Sequence, residues 1–187
     1  LKAASEAGAK RLTIGHWGHG STPHVVGADL QNRTGIQLLE VPYKGVAPII
    51  PDLISGVVHL SFLPLAGPTL GLIKTGKVHP VAVSGERRNP QLPNVPTIAE
   101  SSSQALRGFD HAIWSALFVK KDTPAPIVAR ISEAARAAIA TPAYRKFVDE
   151  QAASVYDDSV LNAPDDYFRA ETRKLTDIAR RIKLQPN

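Results

Sequence analysis

The sequence predicts an α/β fold with a largely parallel sheet. Three observations carry this expectation. Short apolar runs rich in β-branched residues alternate with helical segments between residues 11 and 84. Glycines stand where those helices should stop, and no repeat or low-complexity tract breaks the pattern. Strands that alternate with helices are joined by crossovers, which make them parallel and bring helices over the sheet faces.

Leu12-Thr13-Ile14 is the first strand run, and a glycine-rich turn leads from it into a helix over 21–32. Leu38-Leu39-Glu40-Val41 is the second, followed by a helix over 47–54 that Gly56 stops. Val57-Val58-His59-Leu60-Ser61-Phe62 is the third, before a helix over 68–74 that ends at Gly76. Val78-His79-Pro80-Val81-Ala82-Val83 is the fourth. The β-branched content of these runs favours strand over buried helix. Between 87 and 108 the texture changes: Pro90, Pro93 and Pro96 break the backbone and Ser101-Ser102-Ser103 is polar. This stretch predicts a connection between two units.

Residues 113–119 predict one more strand. Asp122-Thr123-Pro124 then opens a helix whose apolar stripe is Ile127, Ile131, Ala135 and Ile139. Thr141-Pro142 starts another helix to 151, and a last helix over 164–181 turns Phe168, Leu175, Ile178 and Ile182 to one side. An amphipathic helix is held mainly by burial of its apolar face. One strand with three such helices therefore predicts further sheet, from a preceding segment or a partner chain, that covers them. The opening run Leu1-Lys2-Ala3-Ala4-Ser5-Glu6-Ala7-Gly8 reads as an uncapped helix tail, and neither Met nor a signal peptide starts the chain. It reads as a sequence entered in mid-fold.

Composition narrows the function classes. With 187 residues, 43% hydrophobic and 21% charged, the chain is an ordinary globular sequence with enough length for a substantial core. Charges or prolines cut every apolar run short of a membrane span. The absence of Cys excludes disulfides and thiolate chemistry. The net charge of +5 suggests nucleic acid, but the signs are interspersed: 12 basic and 10 acidic residues from Lys120 onward, 10 and 7 before it. No basic cluster is interleaved with aromatics, so no nucleic-acid partner is expected.

The most informative local motif is Gly15-His16-Trp17-Gly18-His19-Gly20-Ser21-Thr22-Pro23-His24. It follows a strand and opens a helix. Glycines admit a close backbone approach, Ser21 or Thr22 suits the N-cap, and free N–H groups with the helix dipole favour an anion. Two readings fit these residues: a cradle for a carboxylate or phosphate, and a plain glycine-rich βα turn. The glycine spacing matches neither a phosphate-binding Walker loop nor a dinucleotide fingerprint. His16, His19 and His24 raise a metal site, but no acid lies within the loop and Pro23 breaks helical spacing, so none is assigned. In that reading His24 packs in the first helical turn while His16 and His19 face the cleft. Ser21 lacks a nucleophile elbow, and Asp157-Asp158 and Asp165-Asp166 fit a turn and a helix start. No catalytic residue and no cofactor are expected. Val41-Pro42-Tyr43-Lys44-Gly45 follows the second strand, placing Tyr43 to line a cleft, Lys44 to face an anion or solvent, and Gly45 to turn the chain.

In collinear order, several stretches resemble the Bug family, the substrate receptors of tripartite tricarboxylate transporters. They are Leu12 through His24, Val41-Pro42-Tyr43-Lys44-Gly45 with Ala47-Pro48, and Asp52-Leu53 through Gly56. Next come Ile73-Lys74-Thr75-Gly76-Lys77, Val81-Ala82-Val83 with Arg87-Arg88, and Leu92-Pro93-Asn94-Val95-Pro96-Thr97-Ile98-Ala99-Glu100. Gly108-Phe109, Trp114, Asp122-Thr123-Pro124-Ala125-Pro126 and Ala163-Pro164-Asp165-Asp166-Tyr167-Phe168 complete the set.

The resemblance implies a two-lobed clamshell like the type II periplasmic binding proteins. Residues 11–108 would form the second lobe and 109–187 the C-terminal part of the first, with 1–10 the tail of a first-lobe or hinge helix. It implies a periplasmic receptor that captures a small organic anion, a carboxylate, and delivers it to membrane transporter subunits. Residues implied to line the cleft are His16, Trp17, Gly18, Gly20, Ser21, Thr22, His24, Tyr43, Lys44, Gly45, Phe62 and Leu63. The chain departs from the family at His16 and Trp17, where small residues are usual, and at Leu63-Pro64, where an Asp is common. The latter argues against a ligand whose amino group needs a carboxylate. Two other readings stand beside this one: a metal-dependent hydrolase using His16, His19 and His24, and a truncated, non-binding chain that self-associates through uncovered helices.

Overall fold

Parallel pairing organises the first part of the chain. In the computed structural model, which describes residues 12–184, β1 (Thr13–His16), β2 (Leu39–Pro42) and β3 (Leu60–Ser61) form one parallel sheet in the order β2-β1-β3. The helix tail read over 1–10 lies outside the described residues. His16 sits opposite Pro42 on one side of β1, and Gly15 opposite Ser61 on the other. Helices α1 (Thr22–Thr34), α2 (Ile49–Ser55) and α3 (Gly67–Lys74) follow the three strands in turn. This is the α/β alternation the sequence predicts.

Glycine fixes two features of this unit. Gly35 ends α1 at φ 71°, where its N–H donates to the Gln31 carbonyl at 2.8 Å; an L side chain resists that conformation. Gly27, inside α1, lies against β1, where an added Cβ would come within 3.0 Å of Ile14 Cδ1. The helix therefore packs so close to the strand that a side chain at 27 would require Ile14 to shift. Below it, Ile14, Ile36 and Leu38 pack with Leu12, Leu60 and Phe62. A second cluster joins Val26 and Leu30 to Ile98, Leu106 and Phe109.

The stretch read as a connection supplies part of that second cluster. Thr97 and Glu100 form a capping box: the Thr97 hydroxyl accepts from the Glu100 N–H at 3.2 Å, and the Glu100 carboxylate accepts from the Thr97 N–H at 2.8 Å. This closes a 3-10 turn, Ile98–Glu100, and a second follows at Gln104–Leu106. The Arg88 guanidinium and then the Thr97 N–H hold the Glu100 carboxyl below the usual range.

Two predicted strands do not form among the described residues. Over 78–83 only Val83 pairs, in a single parallel bridge to Thr97. Pro80 has no N–H for a ladder and Val81 is exposed. Residues 113–119 have strand composition, yet Ile113, Leu117 and Phe118 are exposed and no ladder runs beside them. Composition favours a strand but cannot supply its neighbour.

The remaining elements are α4 (Ala125–Ile139), α5 (Pro142–Glu150), α6 (Asp158–Asn162) and α7 (Pro164–Arg181). Sequence reasoning missed α6, whose signal was Asp157 two residues before Ser159; its carboxylate accepts from the Ser159 N–H at 3.0 Å. No residue of α4 is buried, and α7 buries only Ile178. Ile127, Phe168 and Leu175 remain exposed among the described residues, the uncovered faces that the helical stripes predict. No described helix is long and apolar enough to cross a membrane.

α7 is tied to α1 through Asp29, which is fully buried. Its Oδ2 accepts from Arg33 Nε and pairs with His111 Nε2, both at 2.9 Å, and its Oδ1 accepts from Arg181 Nη2 at 3.1 Å. Removing one member of a buried ionic set leaves the others uncompensated. Asp29→Ala should therefore lower unfolding free energy by about 3–5 kcal/mol in a urea titration. Lys120→Ala, which breaks an exposed pair with Asp122, should leave the midpoint nearly unchanged.

Candidate functional site

With the order β2-β1-β3, the chain leaves β1 toward one side of the sheet and later crosses to the other. The crevice outside the carboxyl ends of β1 and β3 is the topological switch point, where open parallel sheets bind ligands. The glycine-rich loop leaves β1 there and Phe62-Leu63 leave β3. Their stems are locked together, since the Ser61 hydroxyl donates to the Gly15 carbonyl at 3.0 Å.

His16 ends β1 and is 1% exposed. The sequence reading turned it toward the cleft; the structure corrects this. Alternation along a strand places His16 on the same face as Ile14, the face that α1 covers. Its Nδ1 lies 3.2 Å from the Gly18 nitrogen and 3.1 Å from the Gly18 carbonyl oxygen, while its Nε2 has no partner. Trp17 follows, half-buried.

Gly18 at φ 112° and Gly20 at φ 76° wind the loop tightly. Ser21 occupies the N-cap position of α1, but its side chain caps nothing. Instead its hydroxyl donates to the Gly18 carbonyl at 2.6 Å, beside its own N–H at 3.2 Å. The first N–H groups of a 13-residue helix are thus left without a side-chain cap, next to exposed Thr22. His24, buried in the first turn of α1, accepts from the Gly20 N–H at Nδ1, 3.1 Å away. Burial holds its pKa below the usual imidazole value, against the pull of Glu40 and helped by His16 and His19.

Glu40, on β2, is a participant that sequence reasoning missed. Its Oε2 lies 3.6 Å from His24 Nε2. Only the pairing of β2 with β1 brings it to the histidines, so no local spacing signals it. His19 is exposed and completes the group.

The second loop is anchored from below. The Tyr43 N–H donates to the His16 carbonyl at 2.8 Å, and its phenol donates to Asp52 Oδ2 at 2.7 Å. That bond to Asp52, with some burial, pushes the Tyr43 pKa up to about 12. Asp52 was also missed, because it acts on Tyr43 from α2. Lys44 is exposed and Gly45 turns at φ 152°. Phe62 packs against both core clusters, so core packing accounts for its position; Leu63 is half-buried beside it. A separate cleft of about 840 Å³ lies between α3 and α5, lined by Leu70, Lys74, Gln91, Arg145 and Glu150, and contains none of these residues.

A family model described as the tripartite tricarboxylate transporter family receptor matches residues 2–182. A UPF0065 protein from the TAR-I ttuE-ttuC' intergenic region of Agrobacterium vitis is 34% identical over 180 residues, covering 95% of this chain and 51% of that protein. BugT of Bordetella pertussis is 31% identical over 109 residues, 58% of this chain and 32% of that protein. The chain spans about half the length of the curated relatives it matches. Among solved structures, R. palustris Rpa4515 with adipate superposes with a TM-score of 0.80 at 25% identity, over 99% of this chain and 60% of that one. The periplasmic binding protein BugD gives 0.77 at 25% identity, over 100% and 62%. The chain has the α/β fold of these periplasmic binding proteins.

The Tyr43 anchor is open to direct measurement. Asp52→Asn removes the carboxylate that stabilises the protonated phenol, so the Tyr43 pKa should fall from about 12 toward 10. A ¹³C-detected NMR titration of the tyrosine ring carbons reads the shift.

Proposed function

The chain belongs to the tripartite tricarboxylate transporter receptor family, and we propose that it acts in the periplasm as the carboxylate-capturing receptor of such a transporter. One observation carries this reading: the glycine-rich loop and the uncapped start of α1 stand at the switch point of the sheet. There the helix dipole and oriented N–H groups favour an anion. The adipate in the related R. palustris structure supports a small dicarboxylate as the ligand class. Trp17, Gly18, Gly20, Ser21 and Thr22 form the proposed contact surface at β1. Tyr43, Lys44 and Gly45 flank it after β2, and Leu63 after β3. His16 and His24 lie beneath and support the loop.

A binding role, with no catalytic residue, agrees with the Ser21 geometry. The Ser21 hydroxyl donates to a backbone carbonyl, so no histidine accepts its proton. The resemblance divides the chain into a second lobe over 11–108 and part of a first lobe over 109–187, and we extend that division to this receptor. Its delivery partner is then the membrane component of the transporter.

Isothermal titration with C4–C6 dicarboxylates and with citrate tests the ligand class. A measurable affinity for at least one is expected, and none across the panel would sink the reading. Gly18→Ala should weaken that affinity roughly tenfold, or about 1.4 kcal/mol, while leaving the far-UV circular dichroism unchanged. At φ 112° a side chain strains the loop, yet its Cβ meets no neighbouring atom.

A further inference from the structure

Beneath the loop, His16, His19 and His24 form a closed group of rings. The centroids of His16 and His24 are 4.9 Å apart, those of His19 and His24 5.0 Å, and those of His16 and His19 5.6 Å. His19, His24 and Glu40 each offer a ligand atom, and the three atoms lie within 4.8 Å of one another. His16 stands beside them with a buried Nε2 that has no hydrogen-bond partner.

We propose that His19, His24 and Glu40, with His16 as the fourth ligand, bind one divalent first-row transition ion of the imidazole-preferring kind, such as Zn²⁺ or Co²⁺. Metal–nitrogen bonds of about 2.0 Å in a tetrahedral site separate the imidazole centroids by roughly 5 Å, and the three rings already have that spacing. Three imidazoles and one carboxylate suit zinc, cobalt, nickel or copper, whereas calcium and magnesium prefer an all-oxygen set.

The orphan nitrogen of His16 supplies the independent observation. His16 Nδ1 lies 3.2 Å from the Gly18 nitrogen and 3.1 Å from the Gly18 carbonyl oxygen; in the tautomer that binds a metal, Nδ1–H faces that carbonyl and the buried Nε2 carries the lone pair. An imidazole held at Nδ1–H by a backbone carbonyl and free at Nε2 is the usual arrangement of a metal-binding histidine. A metal ion would satisfy Nε2, for which the protein supplies no hydrogen-bond partner.

His24 must change tautomer. Its Nδ1 now accepts from the Gly20 N–H, so the ring proton is on Nε2, facing Glu40. Coordination through Nε2 transfers that proton to Nδ1 and gives up the Gly20 contact, and the glycine loop absorbs the adjustment. His19, at the surface, gives the ion its route from solvent.

The inference rests on side-chain geometry and not on the receptor reading, so the two fail separately. Zn²⁺ is titrated calorimetrically into protein stripped by a chelating resin, and Co²⁺ is followed by visible absorption. One ion per chain and tetrahedral-intensity Co²⁺ bands are expected. His19→Ala and Glu40→Gln, at exposed and half-exposed positions, should each weaken Zn²⁺ binding roughly tenfold or more with the circular dichroism intact. Absence of stoichiometric Zn²⁺ binding overturns the proposal, as does wild-type affinity in either variant. Dicarboxylate titration of the same stripped protein reads the receptor function independently.

Discussion

The carboxylate of Asp29 joins three parts of the chain that lie far apart in sequence. It sits on α1, pairs with Arg33 one turn later, and reaches His111 and Arg181, 82 and 152 residues away. A charge removed from water needs partners that restore what hydration supplied. Three donors on two oxygens do so here. The apolar core is fastened to the same point: the Arg33 guanidinium lies 5.4 Å from the centre of the Phe109 ring, and His111 meets that ring edge-on at 4.7 Å. Because α1 also carries the glycine loop at its other end, the position of that loop depends on this buried ionic knot.

Local chemistry explains what could be read from the sequence. β1, β2 and β3, the helices after them and the Gly56 and Gly76 stops follow from apolar periodicity and turn residues within short windows. Residues 78–83 and 113–119 were misread because a strand requires a neighbour. Pro80 interrupts the first, and the second has none among the described residues. The stretch from 87 to 108 looked like a linker because of its prolines. Neither its capping box at Thr97 and Glu100 nor the burial of Ile98 and Leu106 was read there.

The site divides in the same way. The loop at 15–24 declared itself through glycine, serine and histidine in succession. Asp29, Glu40 and Asp52 did not, since each acts on a group that only the tertiary fold brings near. His16 shows the opposite error. Its place in a glycine-rich motif suggested a ligand contact, whereas its parity with Ile14 along β1 already marked it for burial.

The loop's internal hydrogen bonds bear on selectivity. The Gly18 carbonyl receives both the Ser21 hydroxyl and the Ser21 N–H, and the Gly20 N–H is engaged by His24. An incoming molecule that takes these donors therefore competes with acceptors already in place. A neutral hydroxyl or amide exchanges one ordinary hydrogen bond for another and gains little. A carboxylate forms charge-assisted bonds about twice as strong as neutral ones, so on the proposed reading it would gain from the exchange. In the proposed receptor, these occupied donors would add to the uncapped start of α1 in favouring a charged solute over a neutral one, with no steric wall required.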